Sequence, residues 1–149
     1  MQNNRPRRTL RILVWLNLAL LLLLLIFGLA FDSTQATRLA PSGFSTTVAA
    51  IGRTGASGFI HMSLGLLVGL FALVNLVVAL RSGLRRVQIF GSLAFLAILA
   101  AGIVGLFFVF TGFQDTGLIL GLVPLFLLSV IAYLLELFSL KVSPQPQTG

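Results

Sequence analysis

Residues 59–110 read FIHMSLGLLVGLFALVNLVVAL, then RSGLRR, then VQIFGSLAFLAILAAGIVGLFFVF. The apolar runs 59–80 and 87–110 are each long enough to cross a hydrocarbon core ~30 Å thick, which takes about 20 helical residues. Their apolar character is continuous and does not alternate, as a half-buried strand would. In lipid, only helices and closed barrels satisfy their own backbone groups. The link between the runs is too short for more than a reversal, so the pair reads as an antiparallel helical hairpin. Working outward, residues 12–31 form another such run before it and residues 118–140 another after it. The expected fold is therefore all-α: a four-helix transmembrane bundle with up-down topology and a long external first loop at 32–58. The expected layout is a cytoplasmic basic tail (1–11), the transmembrane domain (12–140) and a cytoplasmic tail (141–149).

Charge sets the expected orientation. Ten Lys and Arg stand against three Asp and Glu, for a net charge of +7. Such a surplus would suit a nucleic-acid binder if it were gathered on one soluble face. Instead it follows the spans. Arg5, Arg7, Arg8 and Arg11 precede the first span, Arg81, Arg85 and Arg86 fill the second loop, and Lys141 follows the fourth span. Only Arg38 and Arg53 fall in the first loop. The positive-inside rule then puts both termini in the cytoplasm, with the protein multi-pass in the cell membrane. The arginines hold orientation and meet lipid headgroups, so the bilayer is the expected partner and nucleic acid is not. The first apolar stretch exceeds the 7–15 residues of a signal-peptide core, so it is kept as a span.

The chain has no cysteine, which excludes disulfides, thiolate metal sites and cysteine catalysis. It also has no Gly-Lys-Ser/Thr phosphate loop and no HExxH pair, so phosphate-loop and zinc-protease chemistry are not indicated. The first loop is longer than a reversal needs, and long loops in compact domains tend to carry function. Residues 45–51 within it are expected to form a short surface helix capped by Ser45.

His61 is the single histidine. It opens the second span near its outer end, and imidazole is a common ligand of metals and heme iron. His61, Gly65, Gly69 and Ala72 recur at nearly helical spacing, as do Gly91, Ala94, Ala101 and Gly105 on the third span. Such faces let helix backbones approach closely; below a histidine they also leave room for a flat ligand. Asp32 and Asp115 are expected to pair with Arg38 or Arg53. Glu136 lies inside the fourth span. An intramembrane carboxylate is a functional candidate, but this one is close enough to the cytoplasmic end to pair with Arg81, Arg85 or Lys141. Asn17 and Asn75 are expected to bond across helices.

One segment carries a family resemblance. Thr37-Arg38-Leu39-Ala40-Pro41-Ser42-Gly43-Phe44-Ser45, following the first span, resembles the Thr-Arg-Leu-x-x-Ser-Gly-x-Ser segment of the heme A synthase family. A histidine then opens the second span, as in that family, and residues 102–112 are similar to its glycine-rich exit from the third helix. The chain resembles one four-helix half of a full-length member, over roughly residues 30–140. The resemblance implies heme near the outer surface, with His61 as its axial ligand and sole metal-binding residue. It further implies that Gly65 and Gly69 line the cofactor site and that Arg38, Ser42 and Gly43 shape the loop above it. It extends to oxidation of a heme O methyl group and to association as a homodimer. Two positions depart from the family. The turn before His61 is Ser57-Gly58-Phe59-Ile60, where members carry an acid, and residues 120–124 hold no second histidine. The alternative expectation is a non-catalytic structural or assembly subunit of a respiratory complex.

Overall fold

The structure, a computed structural model, describes residues 5–29, 55–110 and 116–142. They form four long helices: α1 (Arg5–Leu29), α2 (Gly55–Arg81), α3 (Arg85–Phe110) and α4 (Thr116–Val142). Each is long and apolar enough to span a membrane. Each packs on its chain neighbour, and α4 closes back on α1. The fold is the expected all-α, up-down four-helix bundle of an integral membrane protein.

The helices reach beyond the apolar runs at most ends. α1 begins at Arg5 and not at residue 12, and α4 continues to Val142. Arginine is a good helix former, and Pro6 falls in the first turn, where its missing N–H costs no helical bond. Pro124 lies inside α4 on an exposed face. There it removes one helical N–H and crowds the preceding turn, a feature that spanning helices tolerate.

The α2–α3 reversal is closed by its own residues. Gly83 takes a left-handed conformation, φ 69°, which glycine adopts without strain. The Ser82 hydroxyl donates to the Ala79 carbonyl at 2.7 Å and accepts from the Leu84 N–H at 3.2 Å. The Gln88 side chain reaches back to the Leu80 carbonyl at 2.9 Å. These bonds satisfy groups that helix ends leave open.

The core is layered. At the arginine-rich end, Leu10, Ala79, Val87 and Leu140, one from each helix, pack together. Four residues along each helix, about 6 Å deeper, the layer is Val14, Asn75, Gly91 and Glu136. Seven along, it is Asn17, Ala72, Ala94 and Tyr133. All of these are buried. Val14, Val68, Ala94, Tyr133 and Leu137 belong to the larger apolar cluster above the basic end. Outward faces carry large exposed apolar side chains such as Trp15, Leu66 and Phe138. In water such a surface would be a liability; against acyl chains it is the solvated face.

Close helix approach occurs at Gly28 and Gly91 rather than at Gly65 and Gly69. A Cβ on Gly91 would sit 3.0 Å from the Ala79 Cβ. A Cβ on Gly69 would meet nothing within 4 Å, and one on Gly65 only a Leu24 methyl at 4.0 Å. The reason is angular. Each four-residue step turns about 40° around the helix, so Gly69 has rotated well away from the line through His61, Val68, Ala72, Asn75 and Ala79.

Candidate functional site

Two polar places stand out in this apolar bundle. The first is the layer that contains Glu136. Its side chain is fully buried, as is that of Asn75. The Asn75 amide nitrogen donates to both carboxylate oxygens, at 3.0 and 3.2 Å. α2 and α4 lie diagonally across the ring, so this bond crosses the bundle centre. Gly91 of α3 makes room for it: a Cβ there would fall 3.5 Å from Glu136 Oε1 and 3.6 Å from its Cδ. The expected pairing of Glu136 with Arg81, Arg85 or Lys141 is not formed, because Glu136 lies on the inward line of α4 and those three side chains are exposed. Asn75 bonds across helices as expected. Asn17 does not, since its amide nitrogen donates to the Leu13 carbonyl of its own helix at 3.0 Å.

Among the described residues, three buried polar atoms have no partner: Asn75 Oδ1, Asn17 Oδ1 and Tyr133 Oη. Tyr133 precedes Glu136 by three residues and so lies on the same face of α4. Buried polar groups are rarely left unsatisfied.

The second place is His61, at the other end of the bundle. It continues the buried line of α2 and is itself half-buried. Its Nδ1 lies 3.2 Å from the Leu24 carbonyl of α1. A carbonyl only accepts, so this bond requires the hydrogen on Nδ1, and in the neutral ring the lone pair is then at Nε2. Leu24 and Gly28 are one helical step apart. With no side chain on Gly28, the carbonyl side of this turn lies open to the ring: a Cβ there would meet His61 Cε1 at 3.0 Å and Nδ1 at 3.3 Å. The local logic is therefore a glycine notch in α1, an imidazole seated in it, and one ring nitrogen left to bind.

Among the described residues no group of three or more His, Cys, Asp or Glu is placed to hold a metal ion. A ligand at His61 would take its one protein bond from Nε2. Gly65 and Gly69 leave the neighbouring strip of α2 free of side chains. Arg38, Ser42 and Gly43, the acids Asp32 and Asp115, Arg53 and the expected surface helix at 45–51 all lie outside the described residues. A shallow open depression on the outer face of α3, lined by Gln88, Ile89, Ser92, Leu93 and Leu96, includes neither site.

The Glu136 centre leaves a signal in the sequence. Asn75 and Glu136 each stand six residues before the end of their helices, at Arg81 and Val142. α2 and α4 run in the same direction, so the two polar groups share a depth. Compared with family models, curated proteins and solved structures, the chain matches none.

Proposed function

We propose that this four-span membrane protein is a heme-binding protein of the heme A synthase type, in which His61 would hold the heme iron. The observation that carries this reading is the bond from His61 Nδ1 to the Leu24 carbonyl. Metal-bound histidines characteristically donate their second ring N–H to a carbonyl or carboxylate, which fixes both tautomer and ring orientation. Here that partner is in place, and Nε2 is left as the donor. Bound heme would supply a redox-active iron. The chain's own residues hold and orient the imidazole through Leu24 and the Gly28 notch. Gly65 and Gly69 keep one side of α2 open, and the resemblance would add Arg38 to the site. In this reading the arginine-rich end faces the cytoplasm of the cell and the His61 end faces outward.

The reading is heme holding rather than methyl oxidation. Ser57-Gly58 stands where the resembled family has its acid, and residues 120–124 have no histidine. A second reading rests on that observation too. The same bond, seated on Gly28, ties α1 to α2 with no ligand required, which suits a structural or assembly subunit of a respiratory complex. An optical titration of the purified protein with hemin separates them. The heme reading expects a saturable Soret shift in the wild type that is lost in His61→Ala. No shift in the wild type, with a lowered melting temperature in His61→Ala, selects the structural reading.

A further inference from the structure

We propose that the buried centre formed by Glu136, Asn75 and Tyr133 is a binding site for one monovalent cation, a proton or Na⁺. It lies about two helical turns inside the arginine-rich end. The proposal stands apart from the heme reading, since His61 is at the other end of the bundle.

The argument begins with a charge. Glu136 is fully buried, and both of its carboxylate oxygens accept from the Asn75 amide nitrogen. The groups facing it on the neighbouring helices carry no charge. α1 presents Val14 and Asn17, α2 presents Ala72, Asn75 and Ala79, and α3 presents Val87, Gly91 and Ala94. On its own helix the neighbouring titratable group is Tyr133. Arg8, Arg11, Arg81, Arg85, Arg86 and Lys141 are exposed at the bundle end, and the half-buried Arg7 stands two turns from Val14 toward that end. A carboxylate in such a place is costly unless a cation accompanies it.

The donor and acceptor balance points the same way. The Asn75 amide nitrogen reaches both carboxylate oxygens, a geometry that one forked N–H fills, and its Oδ1, part of the same amide group, is a bare acceptor. Asn17 Oδ1 is a second bare acceptor, in the adjacent layer. Tyr133 Oη supplies one donor and is itself unpartnered. The centre therefore has more acceptors than donors and a formal negative charge. What it lacks is positive: a proton on the carboxyl, which would give a new O–H donor, or a hard cation, which would take several oxygens at once. The donor set is oxygen only, which suits either.

The test uses the full-length protein in lipid nanodiscs and reads the Glu136 carboxyl by infrared difference spectroscopy, with Glu136→Gln as the blank. Two jumps are applied: an acid jump in choline chloride, and a change from choline to Na⁺ at alkaline pH. If the site takes a proton, the acid jump raises a protonated-carboxyl band that is absent from Glu136→Gln and insensitive to Na⁺. If it takes Na⁺, the carboxylate bands shift saturably with Na⁺ and not with choline. Tyr133→Phe, which retains the ring, should move the midpoint of whichever response is seen by at least threefold. A carboxylate band unchanged by both jumps would overturn the proposal and leave the Glu136–Asn75 bond as structural only.

Discussion

Replacing Asn75 by Leu removes the donor that Glu136 relies on while keeping the same branched skeleton of heavy atoms. The two Nδ2 bonds, at 3.0 and 3.2 Å, go to a carboxylate with no solvent exposure. A hydrogen bond to a charged group contributes about 1.5–3 kcal/mol, and breaking a buried ionic arrangement by removing one partner costs about 3–5 kcal/mol. Side-chain bonds in membranes average nearer ~0.6 kcal/mol, because the unfolded state in the bilayer also finds partners. Weighing these, the single substitution is expected to destabilise by about 2–4 kcal/mol. Glu136→Leu should cost less than the isolated bond energies imply, because it removes the charge as well as the bond. The double variant Asn75→Leu/Glu136→Leu should then be less destabilised than the two singles added, by about 1.5–3 kcal/mol. The assay is SDS-titrated unfolding in lipid–detergent micelles, followed by the fluorescence of Trp15, the single tryptophan. Additive effects, within the ~0.5 kcal/mol typical of independent sites, would refute the claim that the two residues form one energetic unit.

Other outcomes follow from the same geometry. Gly91→Leu forces a Cβ to 3.0 Å from the Ala79 Cβ, an overpacking that should cost about 1–3 kcal/mol in the same titration. Gly69→Ala, with open space around its Cβ, should stay within about 0.5 kcal/mol of wild type. Gly28→Leu should displace the His61 ring, lower the melting temperature in detergent and abolish any hemin-induced Soret shift. For orientation, external thiol reagents on whole cells should label Ser45→Cys and spare Ser82→Cys, since the arginine-rich end is expected inside; the reverse pattern would invert the topology.

Hydropathy made the four spans legible because continuous apolar runs leave lipid as the one consistent solvent. Their ends were less so. Arg5, Arg7, Arg8 and Arg11 are charged but good helix formers, and the helix runs on through them. The His61 end was legible as a place, since a single imidazole at a span terminus is conspicuous; its attachment to Leu24 was not. That bond depends on a glycine 33 residues earlier in the chain opening a notch at the matching height of another helix. Glu136 shows the same limit. Its depth in α4 can be counted from the sequence, and depth alone suggested the nearby arginines. Its direction around the helix, and the gap at Gly91 that admits it to Asn75, become visible only when all four helices are placed.

Ligation at His61 is tested most directly by resonance Raman spectroscopy of the ferrous, hemin-reconstituted protein. The chain has one histidine and no cysteine, so the account predicts a five-coordinate heme with an iron–histidine stretching band that disappears in His61→Ala and persists in Asn75→Leu. A wild-type protein that binds no heme, or a spectrum unchanged in His61→Ala, would contradict it.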